Sequence, residues 1–362
     1  MVLKNLYFDF MYNYNNIVLI NEVDYIGDSV IFFWPLVNAI ADEFPDKEIQ
    51  VFHPHANVFK PAHSHITHKS LDSFYEREND YLEAVFIAFV KSDGRLKEYL
   101  KSQGFPAIVK GMVGLDFSLL NMQEIVFQQN EFERIEVDKN EIKYRLKNSS
   151  IDKKSGFPSL DQHFENVYEY AKICNETFFG LTDMKAADAQ NILVSYMSID
   201  EVKAKIFSHS KDSFNRKFVL LNLIAGTIKK DVLKVYDSLV IWIQKVVSNN
   251  LKENINVYIL ANENFPNLRT DLATEADNVF FLKEDSLPYW TYLIKNAEIV
   301  YSIDTGLLHI AHILNENTYG FGGDVDFWFF KDRRIDFIMD ETYPKDNFNQ
   351  SLSKVLNWIK ND

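Results

Sequence analysis

Apolar residues along this chain follow two alternating patterns. The run Asn16-Ile17-Val18-Leu19-Ile20 is short, β-branched and flanked by polar residues, the signature of a strand buried on both faces. After a turn at Gly27, residues 28–44 carry apolar positions at helical spacing and stop at Pro45, and residues 48–53 form a second strand. Two parallel strands joined by a helix imply a right-handed crossover. The alternation resumes with a strand at 84–90, a helix at 94–103 and a strand at 106–109. From 115 to 150 periodicity weakens and charge rises, and no element is assigned; 161–179 is an amphipathic helix. A polar segment at 195–217 leads to a more regular half, with strands at 218–224, 255–260, 279–282 and 297–302. Helices are expected between them at 230–247, 266–276 and 287–296, then at 305–314 and, at the end, at 347–360.

This rhythm predicts an α/β chain of two facing Rossmann-like doubly wound domains with an interdomain cleft: residues 1–195, residues 196–345, and a closing helical segment at 346–362. At 362 residues the chain exceeds what one core usually sustains, and a hydrophobic share of 47% can fill two. Lys+Arg 38 against Asp+Glu 52 gives a net charge of -14, which opposes nucleic acid and broad adhesion to an anionic membrane. Cys174 is the only cysteine, so an intrachain disulfide and a cysteine-based zinc cluster are excluded and a reducing cytoplasm fits. Neither a signal peptide nor a membrane-spanning run is read, leaving at most peripheral contact with a membrane.

Polar residues that could carry chemistry fall at the carboxyl ends of the expected strands, where open parallel sheets bind ligands. Asp28 follows the first strand at a helix start: a carboxylate there can take a proton from a sugar hydroxyl, or cap the helix, whose positive end favours its ionised form. On spacing alone the cap is the commoner role. Asp304-Thr305-Gly306-Leu307 opens the helix after a late strand, where free N–H groups suit a diphosphate; His309 lies in the following turn. Gly226-Thr227-Ile228-Lys229-Lys230 ends another strand, and either lysine could neutralise a departing diphosphate. Glu263 ends the next, placed for a ribose or for solvent.

These residues resemble glycosyltransferase family 9, which includes the bacterial lipopolysaccharide heptosyltransferases and has the two-domain arrangement called GT-B. The likeness runs through Ile26-Gly27-Asp28, Glu43-Phe44-Pro45-Asp46, weakly through His163 to Tyr168, and most specifically from Asn296-Ala297-Glu298 through Asp304-Thr305-Gly306 to His309 and Ala311. The resemblance implies Asp28 as general base and inversion at the anomeric carbon. It further implies Thr227 with Lys229 or Lys230 on the donor phosphates, Glu263 on the ribose, Asp304 on the transferred sugar, Thr305 to Leu307 on the diphosphate and His309 beside them. No cofactor or metal is implied, only a nucleotide diphosphate sugar and a carbohydrate or glycolipid acceptor. The chain departs from the family in having Asn21-Glu22 after the first strand, where a basic residue is frequent, and in its first sixteen residues.

Five of nine histidines crowd into His53, His55, His63, His65 and His68. A metal site there ranks below an acceptor-side role, assigned to Gly27, His53 and His55. The run Asp326-Phe327-Trp328-Phe329-Phe330 reads as core packing. Two rival functions share the architecture: a nucleotide-sugar epimerase and a non-catalytic sugar-nucleotide-binding protein.

Overall fold

The computed structural model describes residues 11–56, 58–59, 62–76, 81, 83–111, 116–122, 132–146, 150–151, 158–159, 167–179, 181, 184–185, 200–201, 203–205, 217–224, 243–244, 255–261, 279–282, 286–303, 305–321 and 334–335. The chain divides into two compact units, residues 1–192 and 193–362. The helices expected at 230–247, 266–276 and 347–360 and the aromatic run 326–330 lie outside or almost wholly outside the described residues.

In the first unit, β1 (Asn16–Asn21), β2 (Glu48–His53), β3 (Ile66–Ser70), β4 (Ala84–Phe89) and β5 (Ala107–Lys110) are parallel in the order β3-β2-β1-β4-β5. Three antiparallel strands extend the sheet beyond β5: β6 (Asp116–Leu120), β8 (Glu141–Leu146) and β7 (Phe132–Val137). The short strands β9 (Ser150–Ile151) and β10 (Pro158–Ser159) form a separate antiparallel pair. Every residue of β4 and all but the first of β1 are buried, as a strand covered on both faces requires. Period two divides the flanks. Val18, Ile20, Phe86 and Ala88 join an aromatic core with Phe52, Phe74 and Tyr81. His53 and Phe89 instead meet Phe33, at ring centroids of 5.4 and 5.7 Å.

The helix after β1, here α1, runs through three segments: Ile26–Asp28, a π-helical stretch Ser29–Phe33, and Trp34–Glu43. Pro35 explains the π-helical stretch. It has no N–H to give Ile31, and its ring would strike the Ile31 carbonyl in a regular α-helix, so the backbone widens and Trp34 N–H bonds back to Ser29 O. Asn175, fully buried on the helix Val167–Phe179, donates to the Phe32 carbonyl at 2.8 Å. Residues 11–14, within the extra amino-terminal segment, are pinned by Lys47, whose ammonium donates to the carbonyls of Met11, Tyr12 and Tyr14.

The second unit holds β11 (Phe218–Asn222), β12 (Asn256–Leu260), β13 (Val279–Leu282), β14 (Ile299–Ile303), β15 (Thr318–Phe321) and β16 (Arg334–Ile335), all parallel, in the order β13-β12-β11-β14-β15-β16. This is the strand order of a dinucleotide-binding sheet, reversing between β11 and β14. The helices Leu287–Asn296 and Gly306–Leu314 precede and follow β14. Among the described residues no helix is long and apolar enough to cross a membrane.

The unassigned stretch 115–150 supplies β6, β7 and β8, anchored electrostatically. The buried Glu141 carboxylate receives Lys97, Lys101 at 3.1 Å and Ser118 Oγ at 2.8 Å, tying the helix Leu96–Ser102 to the antiparallel strands. Burial pushes its pKa up, but the hydrogen bonds and lysine charges outweigh this and leave it below the usual value. A depressed carboxyl stabilises the fold above its unfolded pKa near 4.5, and that stability is lost as pH falls through the folded value. Glu141→Gln should therefore destabilise unit 1 by about 1–3 kcal/mol at pH 7. In denaturant melts the gap from the unsubstituted chain should narrow below pH 4.5; a pH-independent gap would contradict this account.

Candidate functional site

At the carboxyl end of β1 the chain must turn while satisfying the last polar groups of a strand with no access to water. Asn21, fully buried, does this with its side chain: Oδ1 accepts the Val23 N–H at 2.9 Å and Nδ2 donates to Ser29 Oγ at 3.0 Å. Ser29 in turn donates both its N–H and its hydroxyl to the Tyr25 carbonyl, each at 3.1 Å. Glu22 extends the ladder through its N–H to Phe89 O, while its carboxylate accepts the N–H groups of Lys91 at 3.2 Å and Leu96 at 3.1 Å. It thereby caps the helix Leu96–Ser102, whose flanking Arg95 offers no side-chain cap.

Asp24 pairs with Lys91 Nζ at 3.0 Å, a contact that leads in raising the lysine pKa, and its carbonyl lies 2.6 Å from His55 Nε2. The turn carrying Gly27 and Asp28 is thus held by the loops after β2 and β4, where the strand order reverses. Asp28 is not the helix cap that its spacing suggested. Tyr25 occupies that place in extended conformation, and Asp28, half-buried, sits in the first turn with φ -62 and ψ -35. Gly27 is buried.

His53 is fully buried, stacked on Phe33, and its Nδ1 accepts the His55 N–H at 2.8 Å. Burial, followed by the neighbouring His55 and His68, drives its pKa well below the ordinary histidine value. His68 is pushed down to about 4 by burial, partly opposed by its bond to the Phe59 carbonyl. His55, half-buried, is the member of this pair that reaches the loop before Asp28. Among the described residues no group of three or more His, Cys, Asp or Glu is placed to hold a metal ion.

The second unit repeats the device. Asn222 ends β11, almost fully buried; Oδ1 accepts the Ile224 N–H at 3.2 Å, and Nδ2 donates to Ser302 Oγ at 2.7 Å and Thr305 Oγ1 at 3.3 Å. Thr305 caps the helix Gly306–Leu314 in extended conformation, without a side-chain capping bond, and its hydroxyl oxygen accepts from Asn222. The first-turn N–H groups of Gly306 and Leu307 lie beside this cap, next to the β11/β14 reversal. His309 is buried in the same helix. Thr227, Lys229, Lys230, Glu263 and Asp304 lie outside the described residues.

Sequence reasoning noted Asn21 and Glu22 only as a departure from the family and gave no role to Lys91, Gly94 or Asn222. One signal was available: Val18-Leu19-Ile20-Asn21 and Val219-Leu220-Leu221-Asn222 end the first strand of each sheet alike.

Two sheets of Rossmann-like order, the first extended by three antiparallel strands, each with an asparagine-braced turn where the order reverses, give the chain a fold like that of the GT-B glycosyltransferases. No protein-family model matches the sequence, and no curated protein matches it. Solved structures do. A family 9 glycosyl transferase from Veillonella parvula DSM 2008 superposes with a TM-score of 0.54 at 10% identity, over 88% of this chain and 83% of that one. The E. coli ADP-heptose lipopolysaccharide heptosyltransferase II gives 0.54 at 12% identity, over 94% and 98%. A UDP-GlcNAc 2-epimerase from Neisseria meningitidis, bound to UDP-GlcNAc, gives 0.47 at 11% identity, over 95% and 92%.

A Cβ on Gly94 would lie 1.9 Å from Glu22 Oε2, so a side chain there would push this carboxylate aside where the loop after β4 closes on it. Gly94→Ala should cost about 1–3 kcal/mol by displacing it. In chemical melts the Glu22→Ala/Gly94→Ala pair should cost clearly less than the two single changes added together; strict additivity would rule out the contact.

Proposed function

We propose that this chain is an inverting glycosyltransferase. It moves a heptose or hexose from a nucleotide diphosphate sugar to a lipopolysaccharide-core or other bacterial surface glycan, at most in peripheral contact with the membrane. The observation that carries the reading is the position of Asp28: in the first turn after β1, at the strand-order reversal, with the cap position filled by Tyr25. The fold shared with a family 9 glycosyl transferase and with heptosyltransferase II supports it.

In this mechanism Asp28 accepts the proton of the acceptor hydroxyl as its oxygen attacks the anomeric carbon. The bond from that carbon to the diphosphate oxygen breaks, and the configuration inverts. Lys229 or Lys230, with Thr227 and the helix start Thr305 to Leu307, takes up the charge developing on the diphosphate, so no metal is needed. Glu263 holds the ribose, Asp304 the transferred sugar, and His309 backs the donor side. Gly27 and His55 face the acceptor, with His53 behind His55. Much of the rate comes from positioning and from stabilising the leaving group.

A thermal-shift panel of ADP-heptose and the UDP and GDP hexoses should give one donor that raises the melting temperature. With that donor and bacterial glycan acceptors, Asp28→Ala should lower transfer by about 100-fold or more while donor affinity stays within about twofold. Equal loss of binding and transfer would remove Asp28 from the role of base. A new sugar nucleotide formed from donor alone would identify an epimerase instead.

A further inference from the structure

Among the buried polar atoms of unit 1 that meet neither solvent nor a hydrogen-bond partner are Trp34 Nε1, His53 Nε2 and His68 Nε2. Buried polar atoms are almost always hydrogen-bonded, so three orphans in one place call for a shared partner. They belong to one cluster. Ring centroids of Trp34 and His68 are 5.1 Å apart, those of Trp34 and His53 6.1 Å, and those of His53 and His68 6.3 Å. Phe33 and Phe59 pack against it, stacked on His53 and Trp34 respectively.

The other ring nitrogens fix where the protons sit. His53 Nδ1 accepts the His55 N–H at 2.8 Å, so the neutral ring carries its proton on Nε2. His68 Nδ1 lies 3.0 Å from the Phe59 carbonyl, which only accepts, so His68 is protonated there and presents a lone pair at Nε2. Burial keeps both rings neutral. With the indole N–H of Trp34 the trio comprises two donors and one acceptor. A direct bond between the two histidines would strand Trp34.

A water molecule matches the set: its lone pairs take the two N–H donors and one hydrogen goes to His68 Nε2, the three bonds usual for an internal water. A nitrogen bonded to water sits about 2.9 Å from the oxygen, so rings bridged by one water have centres up to roughly 8 Å apart. All three separations fall within that reach. A metal ion does not match, because two of the three atoms carry hydrogen.

We propose that Trp34, His53 and His68 hold a single internal water, and that the chain from the Phe59 carbonyl through His68, this water and His53 to the His55 N–H makes His53 a positioning residue. His55 passes the restraint to Asp24, four residues before Asp28, through the 2.6 Å contact of its Nε2 with the Asp24 carbonyl. The histidine-rich segment thus steadies the turn after β1 from the core side, without charge.

The test is proton–nitrogen correlation spectroscopy of the full chain, labelled at histidine and tryptophan, with water cross-relaxation. His53 should appear as the Nε2–H form and His68 as the Nδ1–H form, neither titrating between pH 7.5 and 5.5. The Trp34 indole N–H should show a cross-peak to a long-lived water. His53→Phe, which keeps a ring on Phe33, should speed exchange of the His55 amide proton about tenfold. His53 in the Nδ1–H form, a ring titrating near 6.5, or no water contact at Trp34 would overturn the proposal. The tautomer readout on the unsubstituted chain decides even where the variant does not fold.

Discussion

A strand buried on both faces cannot end in water, and each sheet here is built around such a strand. The last backbone groups of β1 and β11 must find partners inside the protein, in the place where the chain also has to turn towards its site. One buried asparagine answers both demands. Its carbonyl oxygen takes the N–H two residues on, bending the chain, while its amide grips a hydroxyl at a helix start, the one after its own strand for Asn21 and the one after the neighbouring β14 for Asn222. The turn after each central strand is therefore fixed by neutral hydrogen bonds that salt does not screen, and the candidate residues inherit their geometry from it.

Charge plays a different part at the two strand-order reversals. Around β1, Glu22 and Asp24 are engaged by backbone N–H groups and Lys91, leaving an acidic edge that carries Asp28. Around β11 and β14 the contribution comes from a hydroxyl-bearing turn and a helix start. A proton acceptor suits the first environment and a diphosphate the second, the division of labour that the proposed transfer requires.

The alternation of strands and helices was legible because the central strands are nearly uniform in burial and so leave uninterrupted apolar runs such as Ala84 to Phe89. What escaped notice lacked such runs. β3 has only Ile66 buried and lies in a histidine-rich segment without an apolar run, and β6 to β8 carry charges because Glu141 and its lysines sit between elements. Pro35 was invisible as a constraint, since helical spacing continues across it while the backbone widens just before it. Asp28 and Thr305 to Leu307 stood out as candidates from their position after strands, but their supports did not. Asn21 and Asn222 read as ordinary polar strand ends until their partners, 8 and 83 residues away, came into view.

The bond from Asn175 to the Phe32 carbonyl joins residues 143 positions apart in sequence. During synthesis the helix after β1 leaves the ribosome long before the helix Val167–Phe179 exists, and until then this carbonyl, in the stretch widened by Pro35, lacks its side-chain donor. The amino-terminal sheet thus stays unfinished until the helix Val167–Phe179 has emerged, and a nascent chain cut short before residue 175 would carry the turn with Asp28 on an incomplete support.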